Sequence, residues 1–300
     1  MGIFDRFKRR PRGPVHNGAG TEGTSAVRIA ADAGVTIPES APAEAAASGP
    51  GTGTPAKYQY AVYTDIGSRK VNEDSVCVRE LAGDRICLIV ADGLGGHGGG
   101  DQASRAAADH VITGWNGETD AETIRRLLSE ANAKVLAMQT PLCQMKTTIV
   151  LLAADGAQLL RAHVGDSRLY HFLDGTLIYQ TRDHSVAQMS VLLGEITPDQ
   201  IRFHEDRSRV LRALGQDEDL NVEAAEETLE PGTHAFLLCT DGFWEYVLEE
   251  EMEEDLRASD SPDGWIGRMR MRLSGRVKEM YGDEPENDNN TAAALWLEIH

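Results

Sequence analysis

Acidic side chains border apolar, strand-like runs at several separate places in this 300-residue chain. One of them, Asp92, ends the run "RICLIVAD" and is followed by a glycine-rich stretch that reaches Gly100. The others are Glu73 and Asp74 in "RKVNEDS", Asp166 in "HVGDSR", Asp241 in "LLCTDGF" and Asp288 in "NDNNT". A single Asp-Gly pair is typical of a turn. Carboxylates repel one another, however, so a fold that gathers several of them needs a compensating cation or must leave some of them protonated.

The residue types indicate which cation such a site would bind. Carboxylate oxygens without matching His or Cys ligands suit Mg²⁺ or Mn²⁺ rather than zinc. The four cysteines show no CxxC spacing, and we interpret them as reduced core residues. The sequence therefore predicts a site for hard divalent cations.

The distribution of charge limits the partners of the chain. The net charge is −19, but residues 1–57 carry seven Lys or Arg and five Asp or Glu, so the remainder carries −21. An acidic body repels phosphate backbones, which argues against nucleic-acid binding. The sequence shows no apolar run of roughly 20 residues and no apolar leader, so we expect a cytoplasmic protein.

The first 56 residues differ in composition from the rest. Residues 1–12 form a short basic amphipathic stretch, either a solvated start or a peripheral contact with an anionic membrane or a partner. In residues 13–56, 32 of 44 positions are Gly, Ala, Pro, Ser or Thr. Such a segment buries too little apolar area to offset its ordering entropy, so we expect a flexible tether. The folded domain is expected to span residues 57–300.

Hydrophobic periodicity predicts both helices and strands in the body. Helical spacing covers residues 101–115, 120–139 and 262–280, and strand patterns cluster between residues 146 and 183. Asp-Gly turns at 155–156 and 174–175 separate successive strands, which favours antiparallel pairing. Strands in a cluster, with helices before and after them, favour an α+β layered sandwich over a doubly wound parallel sheet.

Six motifs in a fixed order carry a family resemblance. They are "GSRKVNEDS", "VADGLGGHGGGDQAS", "VGDSRLY", "TRDHS", "LLCTDGFWE" and "DNNT". Any one motif is weak, but this order, from about residue 58 to 299, resembles the metal-dependent protein phosphatases, the type 2C serine/threonine phosphatases, in their bacterial form. The resemblance implies a four-layer α-β-β-α sandwich of two antiparallel sheets flanked by helices, with a binuclear metal site at one edge.

The resemblance also implies a role for each acid. Asp92 would bridge two Mn²⁺ or Mg²⁺ ions, and Gly93 would offer its carbonyl to one of them. Asp241 and Asp288 match the other ligands of the first ion, whereas Glu73 and Asp74 match contacts to the second. Asp166, with Asp241, matches the acids that hold a third, weaker ion in bacterial members. Arg69 matches the arginine that binds the phosphoryl group, and its planar fork suits a phosphate dianion.

The implied reaction is hydrolysis of phosphoserine and phosphothreonine by direct attack of a water that bridges two metal ions, with Arg69, Asp92 and Asp241 as the catalytic groups. Leu94 stands where animal members carry the histidine that protonates the leaving group. His97, three residues later, is either a loop residue or an alternative acid, and solvent is a third source of that proton. The expected substrates are phosphorylated proteins, the products of a cognate Ser/Thr kinase, and a monomer is expected. A catalytically silent binding module and a hydrolase of small phosphate esters are the alternatives.

Residues 185–214, called the flap below, correspond to the family's lid beside the metals. The sequence predicts a helix from Ser185, a break at Gly194 and a second helix from Pro198. Asp183 is expected to cap the first helix. Three flap arginines are candidate contacts to acidic residues of a substrate: Arg202, Arg207 and Arg209.

Overall fold

A computed structural model describes residues 58–95 and 98–300. The predicted basic stretch 1–12, the predicted tether 13–56 and His97 lie outside the described residues. Within the described part of the chain, no helix is both long enough and apolar enough to span a bilayer.

Two antiparallel sheets form the centre of the molecule. The strands are β1 (Tyr58–Asp65), β2 (Asp74–Leu81), β3 (Arg85–Leu94), β4 (Lys146–Thr147), β5 (Ile149–Asp155), β6 (Gln158–Val164), β7 (Arg168–Leu173), β8 (Thr176–Gln180), β9 (Glu223–Thr228), β10 (Gly232–Cys239) and β11 (Asn290–Ile299). One sheet has the order β1-β11-β10-β7-β8. The other has the order β2-β3-β5-β6-β9, and β4 adds a short pairing to β3.

Helices cover the outer face of each sheet. They are α1 (Gly100–Gly114), α2 (Ala121–Met138), α3 (Val186–Leu192), α4 (Asp241–Trp244), α5 (Glu249–Arg257) and α6 (Pro262–Tyr281), with a 3₁₀ helix at Pro198–Phe203. The start of α6 follows from local sequence: the Ser261 hydroxyl accepts a hydrogen bond from the Gly264 amide, and Pro262 occupies the first turn.

Strand β3 shows how the four layers arise. Ile86, Leu88 and Val90 belong to the apolar layer between the two sheets. The alternate residues, among them Ile89, pack with α1 and α2 on the outer face. Both faces of the strand are therefore buried, which explains its uninterrupted apolar run. A third cluster lies between the β1 sheet and α5 and α6. The predicted α-β-β-α sandwich is confirmed.

Four elements and two local details differ from the sequence prediction. The sequence prediction does not include β2, β9, α4 or α5. The β9 segment "EAAEET" is acidic and poor in β-branched or aromatic residues, so its pairing with β6 decides it. The second flap helix is a single 3₁₀ segment. Ser185, rather than Asp183, caps α3 by accepting from the Gln188 amide.

A buried histidine pair lies between the sheets. The Nε2 atom of His171 is 2.8 Å from Nδ1 of His234, and both residues are 2% exposed. The His171 ring stacks on Phe236, with 4.2 Å between ring centroids. Burial, helped by His234 and Arg161, lowers the pKa of His171 to about 3. The native state therefore holds His171 neutral.

We expect His171 to make the protein less stable as pH falls. A histidine in the unfolded chain binds a proton near pH 6.5, whereas His171 in the native state does so only near its lowered pKa of about 3. The contribution of His171 to the free energy of unfolding is therefore fully present above pH 6.5 and is lost as pH falls from 6.5 to 3. Relative to His171→Gln, wild type should lose about 1.4 kcal/mol of unfolding free energy per pH unit in that window. Urea unfolding at several pH values measures this, and parallel pH profiles would contradict it.

Candidate metal centre

Four aspartates meet at one edge of the sandwich because strand ends from both sheets converge there. Asp74 opens β2 and lies directly opposite Asp92 in the β2–β3 register. Residues opposite each other on neighbouring strands point to the same face. Asp241 begins α4 immediately after β10, and Asp288 precedes β11 by two residues. Since β10 and β11 are neighbours, the second pair of acids reaches the same edge.

A close backbone approach joins the second pair of acids. A Cβ atom added to Gly242 would lie 2.0 Å from the Asn289 carbonyl oxygen and 3.2 Å from Cβ of Asp288. Only glycine permits this distance between the start of α4 and the start of β11. The Gly of the Asp241-Gly242 pair is thus required by packing, and the contact holds Asp241 beside Asp288.

Hydroxyl groups orient Asp74 and Asp92. The Thr240 hydroxyl donates to Asp74 Oδ2 at 2.9 Å. The amide of Asp92 donates to Thr148 Oγ1 at 3.0 Å, and its carbonyl accepts from the Thr147 hydroxyl at 2.9 Å. These bonds fix the ends of β2 and β3, so both carboxylates keep their positions.

Asn289 holds the loop that carries Arg69 and Glu73. Its Oδ1 atom accepts from the Glu73 amide at 2.8 Å, and its Nδ2 donates to the carbonyl of Ile66 at 2.7 Å. Arg69 Nη2 lies 2.5 Å from Asp288 Oδ2, and the Arg69 side chain is 49% exposed. The arginine therefore stands at the rim of the acidic cleft.

Asp166 reaches the cleft from the end of β6. The residue is 3% exposed, and its carbonyl accepts from Trp244 Nε1 at 3.0 Å. The next residue, Ser167, shares a 2.7 Å hydroxyl contact with Thr148. The loop of Asp166 is therefore tied both to α4 and to the strand that supports Asp92.

The acids strongly perturb one another. Burial raises the pKa of Asp92 well above its usual range, and Asp241, Asp74, Asp166 and Asp288 raise it further. Burial raises the pKa of Asp74 to about 8, against the opposing hydrogen bonds of two threonine hydroxyls. Burial also raises the pKa of Asp241 to about 6, with repulsion from Asp288 as the second cause. The group can be fully ionised near neutral pH only beside positive charge.

The acids fit a divalent cation. Asp74 Oδ1 is buried and has no hydrogen-bond partner in the described structure, although a buried carboxylate oxygen normally has one. A cation would supply the missing interaction. The donors are carboxylate and carbonyl oxygens, the set that Mg²⁺ and Mn²⁺ prefer.

A second group of potential metal ligands does not fit a metal. His163, His184 and Glu223 place ligand atoms within 4.8 Å of one another. Nδ1 of His184 accepts from the Gly165 amide at 3.1 Å, so the proton of the neutral ring is on Nε2, which donates to Glu223 at 3.1 Å. That proton leaves no lone pair on Nε2, and burial lowers the pKa of His184, which keeps the ring neutral.

The flap arginines are placed differently from one another. Arg202 is buried, which rules out its predicted role as a surface contact to a substrate. Arg207 donates to Glu245 at 2.8 Å. Arg209 is 68% exposed and pairs with Asp206. The buried position of Arg202 had no signal in the sequence, because its partners lie in another part of the chain.

The sequence also failed to identify three residues that support the site: Thr148, Thr240 and Asn289. Only Asn289 had a usable signal, since it follows Asp288 in a polar "NDNNT" segment beside a strand. The others look like ordinary strand and helix residues until the sheets are assembled.

Gly93→Ala should damage the site while leaving the helices intact. The added Cβ would lie 2.1 Å from the Gly100 carbonyl oxygen and 2.6 Å from that of Glu73, so backbone must move. We expect a loss of about 1–3 kcal/mol in unfolding free energy and weaker Mn²⁺ binding. Urea unfolding and calorimetric titration with Mn²⁺ measure the two effects.

Gly267→Ala in α6 is the matched control, because a Cβ there meets no atom within 4 Å. It should be neutral or stabilising by up to about 1 kcal/mol, with Mn²⁺ binding unchanged. Equal behaviour of the two variants would contradict the close packing of the Gly93 backbone.

Known proteins resemble this chain in both sequence and fold. Residues 63–274 match the family model for protein phosphatase 2C. Serine/threonine phosphatase stp of Listeria welshimeri is 34% identical over 209 residues, 66% of this chain and 82% of that protein. The crystal structure of the Mycobacterium tuberculosis serine/threonine phosphatase PstP/Ppp has a TM-score of 0.66 at 31% identity, covering 80% of this chain and 99% of that one.

A further solved structure is the catalytic domain of serine threonine protein phosphatase PstP in complex with two manganese ions. It is 29% identical, with a TM-score of 0.63, and the match covers 80% of this chain and 99% of that one. The motif resemblance is therefore confirmed, and the chain belongs to the protein phosphatase 2C family, whose members are metal dependent.

Proposed function

We propose that this chain is a serine/threonine protein phosphatase that hydrolyses phosphoserine and phosphothreonine monoesters of phosphorylated proteins. The observation that carries the proposal is the convergence of Asp74, Asp92, Asp241 and Asp288 on one cleft in a chain of the 2C family. A silent binding module would have no need to gather four mutually repelling carboxylates. The presence of every expected acid therefore favours an active enzyme.

The proposed ligands divide between two divalent ions. Asp92 lies opposite Asp74 in the β2–β3 register and is repelled by Asp241, which supports a bridging role. The metal in the solved PstP catalytic domain is manganese. The first ion would be held by Asp92, Asp241 and Asp288, and the second by Glu73, Asp74, Asp92 and the Gly93 carbonyl. The repulsion between Asp166 and Asp241 supports a weaker third ion between them.

Bound divalent ions would lower the pKa of a water for attack on phosphorus and screen the charge that develops on the phosphoryl oxygens. Asp74, Asp92 and Asp241 fix the geometry of that attack. The Thr240 hydroxyl holds the Asp74 carboxylate, and the Thr148 hydroxyl holds the Asp92 backbone. The close Gly242 backbone holds Asp241 beside Asp288. Their own carboxylates accept no covalent bond to phosphorus in this scheme.

Arg69 binds the phosphoryl group. Its side chain is half exposed at the rim of the cleft, and its present partner, Asp288, is also a proposed metal ligand. A cation at Asp288 would compete for that carboxylate, which leaves the guanidinium fork to two phosphoryl oxygens. Leu94 has no proton to donate, so solvent protonates the leaving serine or threonine oxygen.

The substrates follow from this chemistry as the products of serine/threonine kinases. We propose that the phosphatase acts as a monomer with manganese or magnesium, and that residues 1–12 make any contact with an anionic membrane or a partner protein. The acidic body, with its charge of −21, disfavours nucleic acid as a partner.

Asp241→Asn should nearly abolish phosphate release from a phosphothreonine peptide. The change removes one negative charge from the proposed ligands of the first ion and weakens the binding of that ion. We therefore expect kcat/KM to fall by more than about 100-fold. Phosphate release is measured with Mn²⁺ and with EDTA, which should abolish wild-type activity.

The fold of the Asp241→Asn variant should be intact, and without metal the variant should be more stable than wild type, because the neutral amide relieves repulsion between carboxylates. Asp263→Asn, an exposed acid at the start of α6, is the control and should keep full activity. Full activity of Asp241→Asn at saturating Mn²⁺ would overturn the ligand assignment.

Removal of residues 1–56 should leave peptide turnover within about twofold of the full chain, because a tether contributes no group to the cleft. Steady-state kinetics on the same phosphothreonine peptide measure this. A large change in kcat would assign those residues a part in the reaction.

A further inference from the structure

The flap contains a buried arginine. Arg202, in the 3₁₀ helix, is 3% exposed. Its Nη1 donates to the carbonyl of Trp244 at 2.5 Å and to that of Val247 at 3.2 Å. Its Nη2 donates to both oxygens of Glu249, at 2.6 and 2.5 Å. A buried guanidinium with four acceptors is an anchor of the flap to the segment that joins α4 to α5.

The same segment supports the acidic cleft. Trp244 ends the one-turn helix that Asp241 begins. Its indole Nε1 donates to the carbonyl of Asp166 at 3.0 Å. The Trp244 carbonyl therefore accepts a hydrogen bond from Arg202 of the flap, while the Trp244 side chain donates one to the Asp166 loop.

A second connection reaches the start of the flap. The guanidinium of Arg168 lies 3.5 Å from the centroid of the Trp244 ring, close enough for a cation–π contact. Arg168 also donates twice to Asp183, at 2.8 Å each, immediately before His184 and the flap. The Trp244 ring is thus fixed on one side by Arg168, whose partner Asp183 lies just before the flap.

Glu249 joins the two connections. In addition to its hydrogen bonds from Arg202, Glu249 Oε1 accepts one from the Tyr170 hydroxyl at 3.3 Å. The same oxygen lies 3.5 Å from Arg168 Nη1. Loss of Arg202 would leave two carbonyl oxygens and part of a carboxylate without their donors. Such losses are costly in buried surroundings, so the flap has one strongly preferred position while Arg202 is in place.

We propose that Arg202 is a positioning residue: it fixes the flap on α4 and, through Trp244, fixes the Asp166 loop relative to Asp241. The consequence for catalysis rests on the proposed phosphatase function. A phosphopeptide must pass beside the flap, whereas a small aryl phosphate meets only the acids and Arg69. Displacement of the flap should therefore affect peptide binding more than chemistry at the cleft.

Hydrogen exchange on the full chain with Mn²⁺ tests the anchor without any assay of activity. Arg202→Met keeps the length of the side chain and removes its donors. We expect faster amide exchange in segments 186–203 and 164–168, with α1 and α2 unchanged. Arg212→Met, an exposed arginine of the same flap, is the matched control and should leave every segment unchanged. Unchanged exchange in 164–168 would overturn the connection through Trp244.

Kinetics on two substrates test the consequence. For Arg202→Met we expect KM for a phosphothreonine peptide to rise about 10-fold, while kcat for para-nitrophenyl phosphate stays within about threefold of wild type. In Arg202→Lys the KM for the peptide should lie between the values of wild type and Arg202→Met. One ammonium group can donate to a carbonyl oxygen but cannot replace the two-pronged guanidinium. Equal losses on both substrates would overturn the positioning role.

Glu249→Gln tests the same anchor from its other side if Arg202→Met does not fold. It should reproduce the selective rise in peptide KM and the faster flap exchange. Failure of the wild type to release phosphate from either substrate would refute the phosphatase function, and the exchange measurements would still decide whether Arg202 anchors the flap.

Discussion

Repulsion among carboxylates is the constraint on which the rest of this structure depends. Asp92 is surrounded by acids from four other segments, and burial raises its pKa further. Such a group is unfavourable unless cations neutralise it, so the sandwich must be stable enough to hold it in place. The three apolar layers, with strands such as β3 buried on both faces, provide that stability. Membership of a metal-dependent phosphatase family agrees with this physical picture.

The residues around the acids explain how one edge of the sandwich becomes a rigid cleft. Asn289 ties the Arg69 loop to β11, threonine hydroxyls orient Asp74 and Asp92, and Trp244 holds the Asp166 loop. Each supporting residue comes from a different segment than the acid it holds. The flap joins the same framework through Arg202, so the flap and the acidic cleft share one set of contacts.

Much of the fold followed from local pattern. The apolar run of β3 and the helical spacing of α1, α2 and α6 predict those elements to within about two residues. The sequence patterns did not predict two acidic segments, β9 and α5. Strand β9 forms because it pairs with β6, and helix α5 packs against α6. The second flap helix is a 3₁₀ segment rather than an α-helix, and its Arg202 donates to the Trp244 carbonyl.

The sequence alone determined the residue types at the site: carboxylates beside strands, and glycines where the backbone approaches closely. The reason is that ligand type and glycine requirement are local properties. The phosphate role of Arg69 stays a prediction. Tertiary structure decided three features that depend on distant partners. Asp74 Oδ1 is buried without a hydrogen-bond partner in the described structure, and Arg202 is buried. His184 donates to Glu223 and so cannot bind a metal. Those outcomes depend on hydrogen bonds between residues far apart in the chain, which only the assembled sheets bring within reach.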